Sequence, residues 1–403
     1  MIPEPVVERI VLVSDLHLGG GAAAAAAPAG CADPFDDDEA FVRFLDHLHG
    51  AAVGPYRLVL LGDTFDFLRV PVTGRRTGLY ARNDAEAVGQ LETIRTAHPE
   101  VFRGLARVLA TGAGVDVVVG NHDVELARPA LRDRLRTMLS DHGGPPAERA
   151  RLRFFPWVYH VPGVLYAEHG NHYHDINTFR RPLYPFRRPG VTERPPAARL
   201  GGLRRLASGG ARAVLRDALA DLTPRGPLAA AERAGYGEML TAFADEAGLD
   251  RAAVARLHGL GRTSAVRIAQ RLLAVRLAGR PGYHERLPLV AATVHELLGS
   301  TGVPASCYVF GHTHAPQHLR LPDGGASYLN TGTWSTERRG AVGRTWVEIR
   351  HGPGRPPRAA LLSWMDGPVP LSPAGEPARS GQTPAGEGGG DGRGDKQHPP
   401  VCV

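Results

Sequence analysis

The sequence predicts an α/β layered domain, and three observations predict it. Short β-branched apolar runs recur, "RIVLVSD" at 9–15, "YRLVLLGD" at 56–63 and "GVDVVVGN" at 114–121, each ending in a small or polar group. Continuous runs of this kind suit strands buried on both faces. Helical patterns lie between them. Polar clusters follow the runs, and layered α/β proteins gather their sites beyond the carboxyl ends of their strands.

Taken in order, the first run is followed by "DDDEAFVRFLDHLHG", with acids at its start and Phe41, Phe44, Leu45 and Leu48 on one helical face. After the second run, Asp84 to Leu109 forms a helical region interrupted before Pro99. From Arg151 the texture becomes "RLRFFPWVYHVPGVLYAEHG", two strand-like runs around a Pro-Gly turn, which reads as a hairpin. Residues 175–300 are rich in Ala, Leu and Arg at helical spacing. Near 263–278, Val266, Leu273 and Leu277 face one side and Ile268, Leu272 and Val275 the other, the pattern of a sandwiched helix. Strand character resumes in "ASCYVFGHTH", "ASYLNTGTWS", "RTWVEIRHG" and "RAALLSWMDG". From Pro368 the chain is Gly, Pro, Ser and charge, read as a disordered tail. The organisation expected is a core at 1–174 and 301–367, an inserted lid at 175–300 and a tail at 368–403.

With 403 residues, 43% of them hydrophobic, the chain can build a substantial core. No apolar run reaches the roughly 18 residues that span a bilayer. "MIPEPVVERIVLVSD" lacks a basic leader, which argues against a cleaved signal. Cys31, Cys307 and Cys402 are too far apart for a zinc pattern and odd in number, so a cytoplasmic location is expected. The "AAAAAAPAGC" stretch reads as a flexible loop, since cleavage at Cys31 would discard "VLVSDLHLGG". The net charge of +6 is concentrated: residues 176–225 hold eleven arginines against three acids.

Five polar clusters follow strand-like runs: "SDLHLG", "GDTFD", "GNHD", "EHGNH" and "FGHTH". Singly each is weak, because a lone buried histidine is ordinarily a hydrogen-bonded core residue. Together they deliver Asp, Asn and His, without cysteine, to one edge, a ligand set for hard and borderline metals. Asp15 to Asp63 is 48 positions, Asp63 to Asn121 is 58 and Asn121 to His169 is 48, each suiting one strand, helix and loop; His169 to His312 is 143, and the excess falls in the arginine-rich segment.

These motifs, in this order, resemble the signature of the calcineurin-like metallophosphoesterases, over residues 9 to about 335 apart from the insertion. The resemblance implies two packed mixed β-sheets flanked by helices, a four-layer αββα fold. It also implies two divalent metal ions, with Mn²⁺ favoured and Fe or Zn²⁺ as alternatives. Asp15, His17 and His314 would hold one ion, Asn121, His169 and His312 the other, and Asp63 would bridge them. His122 matches the proton donor and Asp66 the carboxylate that orients it, with a metal-bridging hydroxide as the nucleophile on a phosphodiester or pyrophosphate.

"SDLHLGG", "GDTFDF" and "EHGNHYHDIN" are similar to the UDP-2,3-diacylglucosamine hydrolase-like branch, which has Arg at the position of His122 and a shorter insertion. The partner this implies is a phosphorylated small molecule or a nucleotide-linked lipid. His172 is a candidate contact for substrate phosphate, while His174 is read as lying outside the chemistry. Arg180 and Arg181 are candidate substrate-binding residues. The basic insertion could also meet a membrane surface; nucleic acid is less favoured, because no interleaved aromatic platform for bases is evident. A phosphomonoesterase, a nuclease of the same fold and an inactive member serving as a binding module remain open alternatives.

Overall fold

A computed structural model describes residues 9–21, 33–50, 56–72, 80–140, 151–174, 283–300, 304–322, 324–336 and 342–371, with shorter stretches between 177 and 241. Four parallel strands form the heart of the first sheet: β1 (Arg9–Val13), β2 (Tyr56–Leu61), β3 (Gly114–Val118) and β4 (Leu152–Phe155). The second sheet holds β5 (Val158–Val161), β6 (Leu165–Glu168), β9 (Cys307–Phe310), β10 (Gln317–Arg320) and β11 (Ser327–Asn330) in the order β10-β11-β9-β6-β5, with β6, β9 and β11 parallel. β7 (Phe186–Arg188) and β8 (Val191–Thr192) pair apart from both. The chain then returns to the first sheet: β12 (Thr345–Gly352) lies antiparallel against β1, followed by β13 (Arg355–Trp364) and β14 (Pro368–Pro370).

Alternation along the strands makes the layers. Ile10, Leu12, Val59, Leu61 and Val118 of the first sheet meet Leu165, Ala167, Val309 and Leu329 of the second. The opposite residues, Val11, Val13, Leu58, Leu60, Val115 and Val117, pack against α1 (Asp38–Gly50), α2 (Asp84–Ala97), α3 (Pro99–Ala110) and α4 (Pro129–Ser140). Tyr308, Phe310 and Tyr328 on the outer face of the second sheet are covered by Leu287, Val290 and Val294 of α5 (Tyr283–Ser300). Two mixed sheets lie between helical layers, as expected.

Local chemistry explains the breaks. Asn83 caps α2 by accepting the Glu86 N–H at 2.9 Å, and Pro99 opens α3, where its missing N–H costs nothing. Phe44 of α1 has its ring 5.1, 5.0 and 5.8 Å from those of Trp334, Trp346 and Trp364, so the first helix is locked to the last strands.

Three expectations need correction. The Pro-Gly hairpin forms between β5 and β6, but the run before it divides: β4 joins the first sheet and β5 the second, with Pro156 and Trp157 at the crossing. Apolar runs announce strands without saying which sheet takes them. The 175–300 segment is not all lid, since α5 supplies the fourth layer of the core and β7 and β8 are strands. The tail expected to be disordered from Pro368 begins with β14, and prolines are tolerated there because an edge strand need not donate on both sides. Residues 372–403 and the helix expected at 263–278 lie outside the described residues. Among the described residues, no helix is long and apolar enough to cross a membrane.

Candidate metal centre

Parallel strands of both sheets end at one edge and carry the site there. Asp15, Asp63 and Asn121 follow β1, β2 and β3, and His169 and His312 follow β6 and β9. Asp15, His17 and His314 converge as one group able to hold a metal ion, and Asp63, His169 and His312 as another. A third group joins His17, Asp63 and His122.

Each carboxylate is divided between the protein and the centre. Asp15 Oδ2 accepts the Ser14 hydroxyl and the His312 N–H (2.9 Å), while Oδ1 lies 3.2 Å from His314 Nε2 and 3.8 Å from His17 Nε2. Asp63 Oδ1 accepts the His122 N–H at 2.8 Å, and Oδ2 stands 3.1 Å from His169 Nε2 and 3.8 Å from His17 Nε2. Asp63 thus touches a histidine from each of the two groups.

The histidines are oriented the same way. His17 Nδ1 is 3.1 Å from Asp66 Oδ2, and His169 Nδ1 donates to the Leu61 carbonyl at 3.0 Å, so both turn Nε2 inward. Such outer contacts fix the ring and tautomer of a metal-ligating histidine. His169 Nε2, Asp15 Oδ1 and Asn121 Oδ1 are nonetheless buried without a hydrogen-bond partner. Atoms that approach to about 3 Å without aligning on one another point at a shared position between them. Buried orphans are costly unless something else satisfies them, and a divalent cation suits this donor set.

Backbone geometry agrees. Seven non-glycine residues have positive φ among the described residues, and five are Asp15 (54°), His17 (58°), Asp63 (50°), His312 (67°) and His314 (58°). Left-handed backbone costs such residues about 1–3 kcal/mol each. Two glycines make the room: a Cβ on Gly62 would lie 2.5 Å from the His169 ring, and one on Gly120 would lie 2.3 Å from Asp63 Oδ1.

Electrostatics hold the acids ionised. Burial pushes the Asp15, Asp63 and Asp66 carboxyls up, but the surrounding histidines more than offset it, so all three stay well below the usual range. Burial likewise opposes charge on His169, yet Asp63 and Asp15 raise it to about 9. His122 is also raised, since Asp66 and Asp63 outweigh its burial. Its Nδ1 lies 2.9 Å from Asp66 Oδ1, and 28% of its side chain is accessible, against 6% for His17 and 1% for His169. His122 is the most exposed of these three rings.

His172 packs its ring 5.3 Å from Trp157 and 6.5 Å from Phe179, and burial, followed by the charge of His169, lowers it to about 3, so it is a neutral ring. Arg180 and Arg181 lie outside the described residues. His174, expected outside the chemistry, places Nδ1 3.3 Å from His312 Nε2. Sequence reasoning also missed two supports. Arg69 Nε lies 3.2 Å from Asp66 Oδ2. Asp123 accepts the Thr64 N–H (2.8 Å) and the Gly120 N–H (2.6 Å), tying two ligand-bearing loops together; burial and the charge of Asp63 raise its carboxyl to about 7. The final Asp of "GNHD" was the available signal.

No protein-family model and no curated protein matches the chain. Among solved structures it is similar to a candidate 5′-nucleotidase from Staphylococcus aureus crystallised with α-ketoglutarate, at 11% identity and TM-score 0.31, over 89% of this chain and 54% of that one. It is also similar to a phosphopantetheinyl hydrolase from Mycobacterium tuberculosis, at 15% identity and TM-score 0.23, over 80% of this chain and 89% of that one. The chain therefore spans about half the length of the first of these.

Proposed function

We propose that the chain is a metal-dependent phosphoric ester hydrolase of the calcineurin-like metallophosphoesterase type, acting on a phosphodiester or pyrophosphate. One observation carries the reading: Asp15 Oδ1, Asn121 Oδ1 and His169 Nε2 are buried at the strand ends without hydrogen-bond partners, and Asp15 and His169 belong, with Asp63, to the groups able to hold a metal ion. Asp15, His17 and His314 would hold one divalent cation, Asn121, His169 and His312 a second, and Asp63 would serve both. Bound there, the pair would neutralise phosphoryl charge and lower the pKa of a water molecule toward neutrality.

The chain's own groups do the rest. Asp66 spans two rings, with Oδ2 near His17 Nδ1 and Oδ1 near His122 Nδ1. It thereby leaves His122 Nε2 to carry a proton to the departing alkoxide, as positioned general acids do. Asn121 brings a neutral carbonyl oxygen, which keeps the centre from repelling an anionic substrate. Arg180, Arg181 and the other arginines of the 176–225 segment would grip a second phosphate or an anionic head group; this is where substrate choice would lie, because the centre itself reads only a phosphoryl group.

The test is a screen of the full chain against phosphomonoesters, phosphodiesters including bis(p-nitrophenyl) phosphate, and nucleotide pyrophosphates, with Mn²⁺, Fe²⁺ or Zn²⁺ supplied in turn. Hydrolysis should disappear with chelator and return best with Mn²⁺. Binding of metal without turnover of any ester would favour an inactive binding module instead.

A further inference from the structure

The segment that leaves the second sheet after His169 is tightly built. Asn171–Tyr173 forms a single helical turn, the His174 N–H donates to the Asn171 carbonyl at 3.1 Å, and the Asn177 N–H donates to the His174 carbonyl at 3.0 Å. Asn171 Nδ2 donates to the Asn177 carbonyl at 3.0 Å and closes the loop on itself. A buried carboxyl anchors it: Glu168 accepts Tyr173 OH (2.7 Å), Tyr166 OH (3.0 Å) and Trp157 Nε1–H (2.6 Å). The product of this bracing is a contact. Asn177 Nδ2 and His174 Nδ1 lie 3.1 and 3.3 Å from His312 Nε2, and 2.9 Å from each other. His174 belongs to none of the metal-holding groups found among the described residues.

We propose that His174 and Asn177 are positioning residues for His312, holding its Nε2–H so that the other ring nitrogen is the one offered to the cation shared with Asn121 and His169. The inference rests on the dinuclear reading above and deepens it. An imidazole ligand needs a defined tautomer, and the partner that fixes it can be worth roughly 10- to 100-fold in metal affinity. The oxygen and nitrogen of an amide are assigned from the network around them; with its oxygen turned to the two rings, Asn177 accepts His312 Nε2–H and His174 Nδ1–H together, so His174 holds His312 by fixing that amide. The same exit segment also reaches Asn121. Phe179 packs 6.1 Å from the Tyr80 ring, and Tyr80 OH donates to the backbone carbonyl of Asn121 at 2.7 Å. Of the two cations proposed, the one at Asn121, His169 and His312 would therefore depend in part on the stretch that opens the insertion, and the one at Asp15, His17 and His314 would not.

The experiment is Mn²⁺ equilibrium dialysis of the full-length wild type, His174→Phe, His174→Asn and Asn177→Leu, with bound metal counted by elemental analysis and folding checked by circular dichroism. Phenylalanine keeps the ring without a polar atom, whereas asparagine restores one near the place of Nδ1. Wild type should bind two equivalents. His174→Phe and Asn177→Leu should keep one at wild-type affinity and bind the other 10- to 100-fold more weakly, with His174→Asn close to wild type. Should His174→Phe fail to fold, Asn177→Leu and His174→Asn carry the comparison. Two unweakened equivalents in the folded Phe and Leu variants would overturn the pairing while leaving the dinuclear reading intact. Loss of both equivalents together would also overturn it. Absence of Mn²⁺ binding by the wild type would overturn both.

Discussion

At the scale of single residues, Asp63 and His122 separate holding metal from moving a proton. Asp63→Ala removes the carboxylate that faces both His17 and His169, so bound metal and ester hydrolysis should both be lost while circular dichroism shows a folded protein. Full metal occupancy in that variant would sink the bridging role. His122→Ala should leave metal content intact and slow hydrolysis by roughly 10²- to 10⁴-fold. The loss should be smaller with p-nitrophenolate, which departs without much protonation, than with an alkyl leaving group. Equal losses would assign His122 to charge stabilisation on the phosphoryl group. The placement of Asp15, His17, Asp63, Asn121, His169, His312 and His314 beyond the strand ends was legible because each follows an apolar run. Arg69 and the pairing of His174 with His312 were not, because the first is an ordinary surface-type residue in sequence and the second joins positions 138 apart, which no local pattern records.

At the scale of elements, the clearest hold on the loop beyond His17 is a histidine between helices. His98, at the junction of α2 and α3, places Nδ1 2.7 Å from Asp38 of α1 and Nε2 3.0 Å from Asp33, whose carboxylate also accepts the N–H groups of Gly19, Gly21 and Phe35. Burial disfavours charge on His98, but the two carboxylates prevail and raise it to about 9 from 6.5. Because the folded value is the higher, this stabilisation is complete below about pH 6.5 and fades as pH rises through about 9. Urea unfolding of wild type and His98→Gln should differ by about 2 kcal/mol more at pH 6 than at pH 9.5, allowing for the partly exposed Asp38. An unchanged difference across that range would mean that the pair is not ionic. The helices α1, α2 and α3 were legible from the acids and apolar face of the first and from the break before Pro99 between the other two. The division between β4 and β5 and the recruitment of α5 into the core were not, since both depend on which surface a finished sheet leaves uncovered.

At the scale of the whole molecule, the layers come from strand alternation, and the four-layer order was implied by the motif set before any coordinate. Substrate choice belongs to this scale too. Replacing Arg180, Arg181, Arg187, Arg188, Arg204 and Arg205 with Gln should raise KM for nucleotide pyrophosphates or lipid-linked esters, with rising salt weakening the wild type in the same direction. Turnover of a small aryl phosphodiester should barely change. If neither substrate responds, those arginines do not read the substrate. The placement of β12 beside β1 also has a consequence in time. Arg9 and Glu348, paired across those two strands, are 339 positions apart, so a growing chain makes one edge of its central sheet roughly 20–70 s before the strand that covers it, at about 5–20 residues per second. Through that interval Ile10 and Leu12 lack Val347 and Ile349, their eventual neighbours between the sheets. Newborn chains of this protein are thus exposed to aggregation until β12 has been made, and chaperone depletion should lower the yield of folded protein more than it alters the stability of what has already folded.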